Sequence, residues 1–268
     1  MRINTNLNAM VATNQMTKNT ALAGASMEKL STGLRINKAG DDATGLAVSE
    51  KMRAQIRGME QAERNVQDGI SLVQTAEGAL EEAGNIAQRM RELGVQAGNE
   101  TLSSEDRSKI QGELTQLKDE MSNIAKETKF NGKELLSTVG SFTIQAGANG
   151  ETRSVATADL KTIANNINVT TISTTSNAQS LVESVDTALN AINDARSSLG
   201  AMQNRLEYTA TNLTTSTENL TAAESRIRDI DVAKEMVKLS KLNILNQASQ
   251  AMVSQAKQQP ESVTQLLR

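Results

Sequence analysis

The 268-residue chain has no cysteine, no histidine and no tryptophan, and it has a single proline. Without cysteine and histidine there are no disulfides, no thiolate nucleophiles, no imidazole bases and none of the usual zinc ligands. We therefore predict that the chain is not an enzyme, has no catalytic residues, and holds no metal or cofactor. The one proline, Pro260, lies near the C-terminus, so no proline ring stops a helix before it.

Aromatic residues are almost as scarce, since only Phe130, Phe142 and Tyr208 are present. Aromatic side chains supply the largest burial per residue, so this chain must bury many small contacts made by Ala, Leu, Ile, Val and Met. A slender helical bundle satisfies that need, whereas a thick globular core does not.

The charges do not favour an anionic partner. The net charge is −3, with 28 basic and 31 acidic residues interspersed, so no broad positive field collects nucleic acid. No stretch approaches the roughly 20 apolar residues that insert into a bilayer, and the start MRINTNLNAM lacks the apolar core of a cleavable signal peptide. We expect no nucleic acid, no membrane insertion, and export by another route if the protein leaves the cell.

Two long heptad patterns dominate the chain and predict long helices that pair antiparallel. The first runs from Met52 in steps of seven through Met59, Val66, Val73, Leu80 and Ala87 to Gly94, with Ala62, Gly69, Ala76, Ala83, Met90 and Ala97 three residues after its members. The second comprises Val185, Ile192, Leu199, Leu206, Leu213, Leu220 and Ile227. Each pattern spans about 70 Å as a helix, so the two have matching lengths.

A shorter helix and a β region are expected between these patterns. Ser103 and Asp106 are a possible N-terminal cap for a helix carrying Ile110 and Met121, and Asn131 with Gly132 is expected to end it. From 137 to 176 the heptads vanish, and alternation before Asn149 and Gly150 predicts a β-hairpin. The residues 169–176 are mostly Thr and Ser, and we expect a loop at an exposed tip.

Each end of the chain carries an apolar stripe that it cannot bury alone. We expect these segments to be frayed in the monomer and helical once neighbouring copies cover them. The candidate polymerisation residues are Leu7, Met10, Val11, Leu30 and Leu34 at the N-terminal end, and Val237, Ile244, Leu245 and Met252 at the C-terminal end.

The motifs at both ends resemble those of bacterial flagellins. The run MEKLSTGLRINKAGDDATGLAVSEKMRAQIRG begins at Met27, and QDGISLVQTAEGAL begins at Gln67. The C-terminal side carries LGAMQNRLEYTATNL, ENLTAAESRIRDIDVAKEM and the closing AKQQPESVTQLLR. The likeness covers roughly residues 1–137 and 178–268, and it identifies a short form without large outer domains.

The resemblance implies a mainly α fold: a long antiparallel helical bundle with a small central β-hairpin region and terminal helices that pair in the polymer. We expect an inner polymerisation domain in residues 1–44 and 231–268, a long-helix bundle in 45–136 and 177–230, and a β-hairpin tip in 137–176. The function implied is that of a secreted subunit of the extracellular flagellar filament that gives swimming motility.

The resemblance also implies partners. They are other copies of the chain, a flagellar export chaperone bound near the C-terminal helix, the filament cap and the hook-filament junction proteins. Export is expected to proceed unfolded through the flagellar type III apparatus.

Two groups of residues have implied roles that compete with structural ones. Arg35, Asp41 and Asp42 lie in a connector that contacts other subunits in the family, although such aspartates also cap helices, and a metal site would lack its third ligand. Three helix positions that we expect to point outward, Arg89, Leu93 and Glu113, match those that contact Toll-like receptor 5 in related flagellins; ordinary subunit packing is the alternative role.

Other protein classes share parts of this pattern. A hook-filament junction protein has similar ends, and a chemoreceptor signalling bundle is also a long antiparallel heptad hairpin. The rare flagellins with a zinc protease insert need two histidines four residues apart, which this chain lacks.

Overall fold

The computed structural model describes residues 6–169 and 172–266, with side chains described up to residue 258. The described chain is mainly helical. In order along the chain the elements are α1 (Leu7–Thr32), α2 (Ala43–Ala97), α3 (Ser104–Glu127), β1 (Lys129–Phe130), β2 (Lys133–Glu134), β3 (Gly140–Gln145), β4 (Thr152–Thr157), α4 (Leu160–Asn166), α5 (Thr175–Arg228) and α6 (Val232–Leu266). The predicted mainly α class with a small β region is confirmed.

The chain divides into two compact units. One comprises the chain up to Ala54 and from Asn219 onward, and the other is Gln55–Glu218. The first therefore contains α1, α6 and the ends of α2 and α5 that adjoin them, whereas the second contains the bundle and the strands.

The bundle unit buries the predicted heptad seam of α2. Val66, Val73 and Leu80 are fully buried, and the small residues between them are buried as well. The opposing face of α5 is buried through Val185, Ile192, Leu199, Leu206 and Leu213. Most side chains in the α2 seam are small, so the bundle core is thin, as the shortage of aromatic residues indicates.

Helices α2 and α5 run antiparallel within this unit. Thr214 Oγ1 lies 3.3 Å from Glu63 Oε1, and farther along α2 the Nε of Arg91 lies 2.6 Å from Asp186 Oδ1. Residue numbers fall along α5 as they rise along α2, which confirms the predicted antiparallel pairing.

Helix α3 begins where its cap residues predict. Ser103 accepts a hydrogen bond from the backbone N–H of Asp106 at 3.2 Å, while its hydroxyl donates to the Asp106 carboxylate at 2.7 Å. The first bond satisfies a backbone donor that the first helical turn leaves free, and the second holds the Ser103 hydroxyl in place for it. Leu114 and Met121 are then buried on the inner face of the helix.

The Asn131–Gly132 pair does not end α3, so that prediction is wrong. Helix α3 already ends at Glu127, and Asn131 and Gly132 have φ angles of 49° and 77° in the two-residue turn between β1 and β2. A two-residue hairpin turn with two positive φ angles matches the twist of the strands it joins, and Asn-Gly is the preferred sequence for it.

The predicted hairpin around Phe142 is present as β3 and β4, paired antiparallel from Gly140↔Thr157 to Gln145↔Thr152. It packs on α2 at two glycines. A Cβ atom added at Gly69 would lie 2.2 Å from Ile144 Cδ1, and one at Gly58 would lie 2.8 Å from Ala148 Cβ. The absence of a side chain at both glycines is therefore what lets the hairpin approach the helix.

Residues 169–176 were predicted as an exposed polar loop, and residues 137–176 as a β-hairpin tip; the described part of the segment after β4 differs from both. Helix α4 was not predicted; Leu160 and Ala164 are its buried residues. Val169 and Ile172 are 5% and 2% exposed, and α5 already begins at Thr175. These apolar side chains are buried, although most of the residues around them in sequence are Thr and Ser. Thr170 and Thr171 lie outside the described residues.

Candidate self-assembly interface

Helices α1 and α6 lie against each other within the terminal unit. The side chain of Asn6 caps α1 by accepting a hydrogen bond from the Ala9 N–H, and its amide donates to the carbonyl of Ala256 at 2.7 Å. Near the middle of the pair, Thr20 Oγ1 lies 3.5 Å from Asn246 Oδ1. Because residue numbers fall along α6 as they rise along α1, the two helices are antiparallel.

The contact face between these helices is unusually polar. Asn19 is 4% exposed and Ser26 is 1% exposed, alongside the apolar Leu242 and Ala256. Proximity of the Ser26 hydroxyl is the largest cause of the lowered pKa of Glu235, and Lys238, 2.9 Å away, lowers that pKa further. Ser26 Oγ is itself buried without a partner at hydrogen-bond geometry among the described residues. The pair therefore buries few large apolar side chains of its own.

Most exposed large apolar side chains of the described chain lie on α1 and α6. Val237 is 71% exposed and Ile244 is 65% exposed. The others on these helices are Leu7, Met10, Val11, Leu22, Met27, Val232, Met236, Leu245 and Met252. So many exposed large apolar side chains on two neighbouring helices indicate a site that another surface covers.

Two grooves lie on this surface. One of about 550 Å³ lies between the helices and is lined in part by Val11, Leu245 and Met252. Another of about 460 Å³ lies on α6 beside Val237 and Ile244. An apolar side chain that fills such a groove contributes roughly 1.5–3 kcal/mol, so several together are sufficient to hold subunits side by side.

The structure brings most of the predicted polymerisation residues together on this surface. Leu30 is half-buried on α1, whereas Leu34 lies beyond the end of α1. The assignment of Leu34 to a terminal helix is therefore wrong, because Gly33 takes a φ of 70° and ends the helix there.

The connector between α1 and α2 is hydrogen-bonded to the connector between α5 and α6. Leu34 forms a β-bridge with Asp229, and the backbone N–H of Arg35 donates to the carbonyl of Arg228 at 2.6 Å. The guanidinium of Arg35 also donates to the carbonyl of Ile227. Arg35 thereby ties the segment that follows α1 to the end of α5.

The two aspartates of the connector act locally. Asp42 Oδ1 accepts the Gly45 N–H at 2.8 Å and so caps α2, which is the capping role given as an alternative in the sequence analysis. Asp41 Oδ2 accepts the N–H groups of Asn37 and Lys38 at 3.1 Å. These two hydrogen bonds, with that from Lys38 the larger cause, lower the pKa of Asp41.

Two of the three proposed receptor residues meet on the bundle surface. Arg89 lies 3.0 Å from Glu92 and 3.2 Å from Glu113, and the two carboxylates raise the pKa of the Arg89 guanidinium. Leu93 is 3% exposed, so the expectation that it points outward is wrong. Helix α2 packs against more than one neighbour, which widens its buried face beyond the heptad seam.

Among the described residues, no three acidic side chains gather in a way that would hold a metal ion. None of the described helices is long and apolar enough to cross a membrane.

Sequence reasoning missed Asn6, whose side chain bonds to α6, and the two buried polar residues of α1, Asn19 and Ser26. Their asparagine and serine side chains indicate a weak helix rather than a helix interface, because these residues disfavour helix interiors. A polar residue at a helical contact position is visible only once the partner helix is known.

Comparisons with known proteins agree with this arrangement at both ends. The family model for the bacterial flagellin N-terminal helical region matches residues 3–141, and that for the bacterial flagellin C-terminal helical region matches residues 182–267. The segment between them contains β4 and α4.

Individual relatives match over their whole length. The chain is 54% identical to a flagellin of Halalkalibacterium halodurans and 47% identical to a flagellin of Bacillus subtilis, in each case over 100% of both chains. It is also similar to the crystal structure of Bacillus cereus flagellin, with 35% sequence identity and a TM-score of 0.52 over 60% of this chain and 94% of that one.

Proposed function

We infer that this chain, which belongs to the bacterial flagellin family, is a structural subunit that polymerises into the flagellar filament and so serves swimming motility. The family that the sequence motifs indicate is thereby confirmed. A flagellin is a structural filament protein and not an enzyme, and it is located in the extracellular filament.

The exposed apolar surface of α1 and α6 carries this conclusion. The two helices contact each other through a face that includes Asn19 and Ser26, while side chains such as Val237, Ile244 and Met252 remain in water. Further copies of the same chain are the partners that every subunit meets during assembly. A head-to-tail contact between identical copies builds an open helical polymer when its rotation does not close a ring.

We place the polymerisation domain in residues 1–44 and 231–268, the long-helix bundle in 45–136 and 177–230, and the tip in 137–176. These boundaries lie close to the start of α2 at Ala43 and to the break between α5 and α6 near Ile230. The compact units divide instead within α2 and α5, at Ala54 and Asn219. The first part of α2 and the last part of α5 therefore belong to the terminal unit.

The subunit must be exported before it can join the filament. We propose that the chain is exported unfolded by the flagellar type III apparatus, with an export chaperone near α6. The exposed apolar side chains of α6 support this proposal, because they would associate prematurely if nothing shielded them. The filament cap and the hook-filament junction proteins are the further partners proposed.

We also propose that the surface around Arg89 and Glu113 contacts Toll-like receptor 5. The support is geometric: the two half-exposed side chains lie side by side on α2 and α3. The buried Leu93 would act there by packing beneath them, rather than by direct contact.

Seeded growth tests the filament function. Purified subunits added to short filament seeds are expected to elongate into micrometre filaments visible by electron microscopy. Removal of residues 1–32 or 232–268 should abolish this growth and leave a folded bundle. Growth that stops after a short ring would instead identify a hook-filament junction protein.

Circular dichroism in the same experiment tests the terminal helices. If α1 and α6 are frayed in the free subunit, helix content rises when the subunits polymerise. The bundle alone, without the terminal helices, should give the same spectrum before and after addition of seeds. Unchanged helix content in the growing full-length chain would contradict fraying.

A further inference from the structure

A further cleft lies in the bundle unit. Its volume is about 610 Å³, and it is bounded by α2, the β1–β2 hairpin and strand β3. Five consecutive residues of β3, from Ser141 to Gln145, line it. Side chains alternate between the two faces of a strand, so a cleft lined by five consecutive residues meets the edge of the strand and not one face.

The hydrogen-bond pattern identifies that edge as unpaired. Ala146 donates its N–H to the carbonyl of Glu151 at 2.8 Å, so the opposed residues Ala146 and Glu151 occupy a hydrogen-bonded position of the hairpin. Such positions alternate along an antiparallel pair. The backbone groups of Ser141, Thr143 and Gln145 therefore point away from β4, toward the free edge.

One contact at this edge supports the assignment. The Asn65 side chain on α2 donates a hydrogen bond at 3.2 Å to the carbonyl of Gln145, one of the outward-pointing groups. Within the described chain, the outward N–H and C=O groups of Ser141 and Thr143 have no protein partner. An open strand edge of this kind is a template for another strand.

We propose that the free edge of β3 binds an extended peptide segment of a partner protein, which adds a third strand to the β3–β4 hairpin. This mode of recognition takes affinity from main-chain hydrogen bonds and specificity from the side-chain surroundings of the cleft. Strand β3 has six residues, so its edge accommodates about six residues of the added strand, roughly 20 Å long.

The cleft walls define the chemistry of that segment. Leu72, Phe130 and Phe142 offer apolar contacts for alternate side chains of the peptide. Asp68 and Lys133 also line the cleft, and neither forms an ion pair among the described residues. The favoured segment is therefore an extended peptide with alternating apolar residues, a basic residue for Asp68 and an acidic residue for Lys133.

A blocked hexapeptide of alternating valine and threonine, with lysine at one end and glutamate at the other, is the probe. Its binding to the full chain is measured by amide NMR. Perturbed signals at Ser141, Thr143 and Gln145, together with slower hydrogen exchange at those amides, are the expected result. The same peptide with glycine in place of valine should bind more weakly.

Two proline variants test the edge. Thr143→Pro removes an outward N–H that the hairpin does not use, and it should weaken peptide binding about three- to tenfold. Ser154→Pro makes the matched change on the opposite edge, since Ser154 pairs with Thr143, and it should leave binding unchanged. Lys133→Glu should weaken binding of the hexapeptide, because its glutamate then faces a like charge, and it should leave the fold intact.

Equal loss of binding in both proline variants would overturn the proposal, as would signals that shift only at Phe130 and Phe142. Self-association that Thr143→Pro abolishes would assign the edge to a second copy of the chain, and it would also count against a partner peptide. Seeded filament growth is measured on the same variants. Growth with no peptide binding refutes only the strand-addition site, because the filament function rests on α1 and α6.

Discussion

Arg89 Nη2 on α2 lies 3.2 Å from Glu113 Oε1 on α3, so two residues 24 positions apart form one charged surface on the bundle. The same guanidinium also contacts Glu92 at 3.0 Å. About half of each side chain is exposed, so solvent screens the pair and it contributes little to stability. Under the proposed receptor contact, the pair presents a defined charge pattern to that partner.

A charge swap separates recognition from stability at this surface. Arg89→Glu should weaken activation of Toll-like receptor 5 about tenfold, because a receptor contact then meets a reversed charge. The double variant Arg89→Glu with Glu113→Arg should restore the ion pair without restoring activation. Reporter cells measure the activation, and thermal unfolding measures the stability. Full recovery of signalling in the double variant would contradict direct contact with these charges.

Lysine on the exposed face of α6 should block polymerisation. Val237→Lys and Ile244→Lys place a charge where a neighbouring copy is expected to bury an apolar group, and an unpaired buried charge is strongly unfavourable. Seeded growth should fall at least about tenfold while the circular dichroism of the monomer stays unchanged. Val139→Lys, at an 80% exposed position in the tip, is the matched control and should still assemble. Normal growth of the α6 variants would remove α6 from the interface.

A side chain at Gly69 should loosen the β3–β4 hairpin. A Cβ atom there would lie 2.2 Å from Ile144 Cδ1, so Gly69→Val is expected to destabilise the protein by about 1–3 kcal/mol through overpacking. Gly78 lies on the same helix with nothing within 4 Å of a Cβ atom, so Gly78→Val should change stability by less than about 0.5 kcal/mol. Urea unfolding measures both. Equal stability of the two variants would show that the hairpin does not depend on the glycine.

Acid should weaken the terminal unit. Glu235 and Asp41 both have pKa values below their ordinary values in the folded chain, because Ser26 and the backbone N–H groups of Lys38 and Asn37 favour their charged forms. A depressed folded-state pKa gives stability that is present above the ordinary carboxyl pKa of about 4 and is lost as the pH falls through the folded value.

Glu235→Gln should therefore make unfolding of the terminal helices less sensitive to pH between about pH 5 and pH 2. The measurement is helix content by circular dichroism as a function of pH. Glu60→Gln alters an exposed carboxylate on α2 without an ion pair among the described residues, and its profile should match that of the unchanged protein. A Glu235→Gln profile that also matches the unchanged protein would contradict a role for this carboxylate.

Sequence reasoning succeeded where one pattern repeats many times. Val66, Val73 and Leu80 are buried because a heptad repeated along a long helix leaves only one face for the core. The cap at Ser103 was predictable for a similar reason, since its partner Asp106 is only three residues away.

The errors concern short segments and shared surfaces. Helix α4 has seven residues, too few for a periodic pattern, and packing rather than intrinsic preference holds it in place. The exposure of Leu93 depends on how many helices pack around α2. Neither property can be obtained from the residues on one element.

The sequence by itself determined the family, the long paired helices and the apolar stripes of both ends, because periodic spacing and local caps act along a single chain. Only the tertiary structure decided that Asn19 and Ser26 lie buried between α1 and α6, that Arg89 meets Glu113, and that β3 keeps one edge unpaired. These features depend on which residues distant in sequence come within a few ångströms of each other, and that distance is set when the elements pack.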